Sequence, residues 1–230
     1  MKKLLLFDID GTLLTTDGAA GRAFESALID VYGTAGAIGD VSFAGKTDPH
    51  IAYELLESTG IGRPTVKTKL ADLWDCYLKH LDDELVSSIV RVFPGVAECL
   101  NHIETQPEKP VLGLLTGNIE RGARRKLDAS DLGFSRFQVG VFGSDREDRN
   151  ELPAIAAERA EAITGVRYER EAVVIVGDTP ADITCGEVIG ARTVAVATGV
   201  YSRRQLEKCD PDYLFDSLAD TASVWDAMMR

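Results

Sequence analysis

Four short apolar runs, each cut off by a loop of small or polar residues, constrain what this chain can fold into. Leu4-Leu5-Leu6-Phe7 stops at Asp8, and Val111 to Leu115 runs into Thr116-Gly117-Asn118. Ala172 to Val176 ends in Gly177-Asp178-Thr179-Pro180, and Thr193 to Ala197 ends in Thr198-Gly199. A strand with one wet face alternates apolar and polar residues; an uninterrupted run is how a strand covered on both faces reads. Helical spacing occupies the intervals, notably 119–130, 153–164 and 181–190. Buried strands alternating with helices predict an α/β protein built on a parallel, doubly wound sheet. Gln138 to Phe142 is a further candidate strand.

The stretch 15–88 breaks the rhythm. Ala20 to Tyr32, Pro49 to Ser58 and Val66 to Leu81 all carry helical apolar spacing and no strand-like run. They predict a helical insert at 15–88 between the first strand and the rest of the sheet, leaving 1–14 and 89–230 as the main domain. Phe93-Pro94-Gly95 starts the next helix with proline near its first turn. The tail carries a short apolar segment, Tyr213-Leu214-Phe215, and a closing helix near 217–229.

At 230 residues, 45% hydrophobic and 27% charged, the chain can bury an ordinary core. A net charge of −12 argues against a nucleic-acid surface, which needs clustered Lys and Arg, yet leaves room for a small anionic substrate held locally. Cys76, Cys99, Cys185 and Cys209 lie far apart without a C-x-x-C pair, which reads as reduced thiols rather than a disulfide framework or a zinc site. The apolar run after Met1-Lys2-Lys3 is too short for a secretory segment, and no stretch approaches a membrane span. A cytoplasmic protein is expected.

Ligands in an open parallel sheet bind beyond the carboxyl ends of the strands. Three polar clusters fall there: Asp8 with Asp10; Thr116, Gly117 and Asn118; Asp178 with Asp182. Four converging carboxylates repel one another unless a cation joins them. Hard oxygen donors favour Mg²⁺, whose sphere water and substrate phosphate complete. Each Asp read singly is a turn or N-cap residue; three clusters at strand ends in order make that reading poor.

Phe7-Asp8-Ile9-Asp10-Gly11-Thr12-Leu13 resembles the first motif of the haloacid dehalogenase (HAD) superfamily. Leu114-Leu115-Thr116-Gly117-Asn118 looks like the second, and Gly177-Asp178-Thr179-Pro180-Ala181-Asp182 like the fourth. With the helical insert as a cap, the layout is similar to the phosphoglycolate phosphatase branch. The resemblance implies a Rossmann-like core and Mg²⁺-dependent hydrolysis of a small phosphate monoester, phosphoglycolate or a sugar phosphate. Asp8 would be the nucleophile that forms an aspartyl-phosphate. Asp8, the backbone carbonyl of Asp10 and Asp178 would hold the metal. Asp10 would act as general acid and base; dehalogenases of the superfamily lack an acid there, because a halide needs no proton. Thr116 and Gly117, with Asn118 beside them, would bind the phosphate oxygens. Asp182 would orient a metal-bound water.

The third motif departs from the family pattern, which supplies a lysine. The stretch Asp145 to Pro153 has none. Arg149 aligns best by position and can pair with carboxylate and phosphate. Lys126 is the rival, although it lies in a basic stretch, Arg121 to Lys126, more easily read as a solvated face. In the cap, Phe43-Ala44-Gly45-Lys46-Thr47-Asp48 resembles loops that reach over substrate in related enzymes, making Lys46 a substrate-binding candidate against a plain exposed lysine. His50, His80 and His102 are scattered and receive no catalytic role; Trp74 and Trp225 read as core or interface. Two rivals share the motifs: a phosphosugar mutase that returns the phosphoryl group to sugar, and a non-catalytic phosphate-binding protein. Oligomeric state is left open.

Overall fold

A computed structural model describes residues 2–230. The chain runs β1 (Leu4–Phe7), β2 (Leu14–Thr15), α1 (Ala19–Tyr32), α2 (Asp48–Glu57), α3 (Arg63–Ser87), β3 (Arg91–Val92), α4 (Val96–Thr105), β4 (Val111–Thr116), α5 (Glu120–Ala129), β5 (Val139–Phe142), α6 (Leu152–Thr164), β6 (Val173–Gly177), α7 (Pro180–Ile189), β7 (Arg192–Val196), α8 (Arg203–Glu207), β8 (Tyr213–Phe215) and α9 (Thr221–Met229). Six strands form one sheet in the order β5-β4-β1-β6-β7-β8, parallel throughout. The α/β doubly wound sheet expected from the apolar runs is the architecture observed.

β1 shows why an uninterrupted run was needed. Leu5 and Phe7 enter the core beneath α4, α5 and α9, while Leu4 and Leu6 enter the opposite core beneath α6 and α7. All four side chains are fully buried, and each contributes roughly 1.5–3 kcal/mol of apolar burial. A polar residue at any of them would face a packed layer.

Helices α1, α2 and α3 carry a core of their own, built on Phe24, Leu28, Leu55, Leu56, Leu73, Tyr77 and Leu81. Trp74 packs against it, its ring 6.2 Å from that of Phe24, and Trp225 packs against the sheet core. The insert leaves and rejoins the sheet domain through a two-stranded antiparallel ribbon, Leu14 opposite Val92 and Thr15 opposite Arg91. Two residues per strand are too few to leave a readable pattern in sequence. Proline 94 also sits outside the helix it was expected to open: α4 begins at Val96 after Gly95 at φ 81°.

Candidate active site

Sheet register brings the polar clusters together. Phe7 pairs with Leu114 of β4 on one side and Val176 of β6 on the other, so the residues just past these positions converge at one sheet edge. The Asp8 amide donates to the Val176 carbonyl at 2.9 Å, holding the Asp8 side chain at the rim. A cavity of about 600 Å³ opens above it, lined by Asp8, Asp10, Thr116, Gly117, Asn118 and Asp178, with Lys46, Lys126 and Arg149 on its walls. The candidates from all three clusters therefore share one space, except Asp182, which lies just behind it.

Carboxylate oxygens of Asp8, Asp178 and Asp182 lie within 4.8 Å of one another, and all three residues are buried. Burial, opposed by Arg149 but reinforced by Asp182 and Asp10, pushes the Asp8 carboxyl up to about 6. Asp178 is also raised well above the usual carboxylate range, by burial first and then by Asp182 and Asp8. Burial is the larger cause of both shifts, and neighbouring carboxylates add to it. Arg149 supplies one positive charge, with Nη2 2.5 Å from Asp182 and 3.3 Å from Asp8. Burial works against its own charge, but Asp182 and Asp8 raise its pKa and keep it protonated. Three carboxylates against one guanidinium leave room for a divalent cation.

The shape around Asp178 fits that reading. Its Oδ1 accepts from the Thr12 hydroxyl at 2.9 Å, while two glycines keep the space beside Oδ2 clear. A Cβ on Gly11, which also has φ 85°, would stand 2.3 Å from Oδ2, and one on Gly199 only 1.7 Å away. Three hard carboxylates beside such a cradle suit a hard divalent cation better than a softer ion.

Arg149 and Lys126, rivals for one role by sequence, both reach the site and do different things there. Lys126 is 3% exposed, so the solvated-face reading fails for this residue although Arg121 and Arg124 beside it are exposed. Its ammonium donates to Asp10 Oδ2 at 2.7 Å and to Asn118 Oδ1 at 2.5 Å. The Asn118 amide donates to the same Asp10 oxygen at 2.7 Å and to the Thr116 hydroxyl at 2.8 Å. Asp10 is thus gripped by one oxygen.

Thr116 ends β4, and α5 starts at Glu120 behind Ile119, whose amide donates to the Asp48 carboxylate at 2.7 Å. Asp182 has little freedom to orient a water, because Oδ2 accepts from the Thr179 amide (3.0 Å) and hydroxyl (2.7 Å) in a capping box opening α7, and Oδ1 accepts from Arg149. Lys46 lines the cavity, but its ammonium is paired with Glu54 at 2.5 Å.

The cap loop sits hard against the core. The Asp48 amide donates to the Gly117 carbonyl at 2.8 Å, and the Thr47 hydroxyl donates to the Glu147 carbonyl at 2.6 Å. A Cβ on Gly117 would meet the Lys46 carbonyl oxygen at 1.9 Å, so glycine there is what lets the loop close. Asp48 is the residue that sequence reading missed. Only its adjacency to Lys46 could have suggested it, since its partners lie some 70 residues away.

The parallel sheet gathers Asp8, Asp10, Asp178 and Asp182 at one end, beside a cavity that the cap loop also lines. Residues 153–221 match a family profile described as HAD-hydrolase-like. The chain is 26% identical to pyrophosphatase PpaX of Bacillus mycoides over 96% of its own length and 95% of that protein. It is 25% identical to the probable phosphatase IndB of Dickeya dadantii, over 100% of its length and 96% of that protein. A crystal structure of a predicted phosphoglycolate phosphatase from Haemophilus somnus superposes with a TM-score of 0.72 at 21% identity, covering 97% of this chain and 98% of that one. Across essentially its whole length the chain is similar to HAD-type phosphatases.

Proposed function

We propose that the protein hydrolyses a small phosphate monoester through a phosphorylated Asp8, in the cytoplasm and with Mg²⁺ as its cation. The observation that carries this reading is the placement of Asp8 and Asp10 on one cavity, each already contacted by a buried cation, Arg149 and Lys126 respectively.

An Asp8 oxygen attacks phosphorus as the bond to the leaving oxygen breaks. Arg149 holds the Asp8 carboxylate from behind and offsets part of the charge that an anionic substrate brings. Its Nε is buried without a partner, a donor that a phosphoryl oxygen could satisfy after a small shift. Lys126 and Asn118 fix Asp10 by Oδ2, leaving Oδ1 to give its proton to the departing oxygen. Water then attacks the phospho-aspartate, Asp10 Oδ1 takes the water proton, inorganic phosphate leaves and Asp8 is restored. The Thr116 hydroxyl and Gly117 amide face the non-transferring oxygens. Mg²⁺, held by Asp8, Asp178 and the Asp10 backbone carbonyl, would screen the nucleophile from the substrate's negative charge. The cap, with Lys46 free to leave Glu54 for a substrate anion, excludes water during transfer.

The names of the relatives set the panel: pyrophosphate and phosphoglycolate, with sugar monophosphates and an aryl phosphate added. With Mg²⁺, phosphate release from at least one of them is expected, and Asp8→Asn abolishes it. Interconversion of sugar phosphates with little phosphate release would instead favour a mutase. Silence across the panel, or an active Asp8→Asn protein, would overturn the proposal.

A further inference from the structure

The cap carries a second cluster of metal-ligating side chains, different in chemistry, none of which lines the active-site cavity. Cys76 and His80 stand one turn apart on α3, spaced i and i+4, so their side chains share a face. Asp30, near the end of α1, meets them across the seam where those two helices pack. The His80 Nε2 lies 2.8 Å from Asp30 Oδ2, and the Cys76 thiol donates to the same oxygen at 3.6 Å. All three ligand atoms lie within 4.8 Å of one another.

These separations are close to those of a tetrahedral site. With bonds of about 2.0–2.1 Å to nitrogen and oxygen and about 2.3 Å to sulfur, neighbouring ligand atoms stand roughly 3.3–3.6 Å apart. The sulfur–oxygen separation already fits, and the nitrogen–oxygen pair needs to open by only about half an ångström. Asp30 is exposed while Cys76 and His80 are half-buried, which leaves the solvent side open for water as a fourth ligand.

We propose that Asp30, Cys76 and His80 form a binding site for a borderline-soft divalent cation of the Zn²⁺ class. One thiolate, one imidazole and one carboxylate make a mixed donor set that Mg²⁺ does not favour, whereas Asp8, Asp178 and Asp182 offer oxygen alone. Ligand chemistry therefore sorts two kinds of cation to two places on the chain. The cysteine spacing gives no hint of such a site, because the only short-range signal is a single C-x-x-x-H and the third ligand lies 46 residues upstream of Cys76.

The site has a structural consequence. Phe24 of α1 and Tyr77 of α3, whose rings lie 5.4 Å apart, both wall the active-site cavity. A cation joining Asp30 to Cys76 and His80 would clamp the same helix pair six residues further along α1 and beside Tyr77 on α3, holding that wall rigid. Binding releases the Cys76 thiol proton to solvent and changes no oxidation state.

The experiment is a Co²⁺ titration of the metal-stripped, reduced protein with Mg²⁺ in large excess, so that the all-oxygen pocket is already supplied. One equivalent of Co²⁺ should produce a thiolate-to-cobalt charge-transfer band with tetrahedral visible absorption, and Zn²⁺ should bleach both. Cys76→Ser should remove the band, His80→Ala should weaken binding at least about tenfold, and Asp178→Asn should leave it in place. Zn²⁺ at about a hundred times its Kd should raise the unfolding midpoint by roughly 5 °C in the parent and Asp178→Asn proteins, and not in Cys76→Ser. A titration without a thiolate band, or a band that persists in Cys76→Ser, would overturn the site. Should a variant misfold, protection of the Cys76 thiol from alkylation by Zn²⁺ in the parent chain decides the matter: an unchanged alkylation rate refutes binding.

Discussion

Lys126 and Arg149 are both buried cations beside acidic groups, yet their shapes suit different work. The guanidinium of Arg149 spans two carboxylates, Asp8 and Asp182, which a point-charge ammonium could not bridge as well. The ammonium of Lys126 instead closes a compact set with Asp10 and Asn118. Replacing it by methionine keeps the stem's packing and deletes a charge-assisted hydrogen bond worth about 1.5–3 kcal/mol. Lys126→Met should therefore lower kcat by roughly 10–100-fold with Mg²⁺ affinity little changed. Single-turnover kinetics with metal titration check this, and an unchanged kcat removes Lys126 from the machinery. Asp10→Asn goes further, because the group that moves the proton is lost. Turnover should fall by about 10²–10⁴, while Mg²⁺ binding persists because the contact assigned to that residue is a backbone carbonyl. A loss of metal affinity as large as that of Asp178→Asn would contradict the assignment.

At the scale of elements, loops rather than strands decide whether the site closes. Gly95 ends the ribbon from the cap and opens α4 at φ 81°, where a Cβ would stand 2.2 Å from the Leu218 carbonyl carbon and the Ala219 nitrogen. Backbone cannot yield as a flexible side chain can, and the left-handed conformation adds strain for any L side chain. Gly95→Ala should cost about 2–4 kcal/mol, read as a lower urea midpoint. A midpoint within experimental error of the parent would mean that the segments 93–96 and 217–219 are not packed as described. The same logic explains Gly117, whose missing Cβ admits the Lys46 carbonyl, and so ties the cap loop to the loop after β4.

On the scale of the whole molecule, the helical insert packs over the sheet at a pocket where Asp8, Asp178 and Asp182 crowd around the single guanidinium of Arg149. Asp8, raised to about 6, and Asp178, also raised, are held by the fold above their usual values. The folded chain therefore retains protons that the unfolded chain releases, and stability from these groups is lost as pH rises through their folded values. A divalent cation acts in the opposite direction, because it needs the carboxylates ionised. Added Mg²⁺ should raise the unfolding midpoint by several degrees at pH 7.5, less at pH 5.5, and hardly at all in Asp178→Asn. Calorimetric scans at the two pH values measure this; an equal shift at both would place the cation away from these carboxylates.

How much of this was legible in the sequence depended on range. The apolar runs of β1, β4, β6 and β7 specified a doubly covered parallel sheet because both faces of each strand must be buried, a local property readable residue by residue. The order of Asp8, Thr116 and Asp178 at strand ends followed, since parallel register carries each run's terminus to the same edge. The two-residue strands β2 and β3, the pairing of Asp48 with Ile119, the grip of Lys126 on Asp10 and the meeting of Asp30 with Cys76 and His80 were decided only by tertiary structure. Each depends on distant segments brought together by packing, and neither spacing nor composition records which side chains a folded interior will face toward one another.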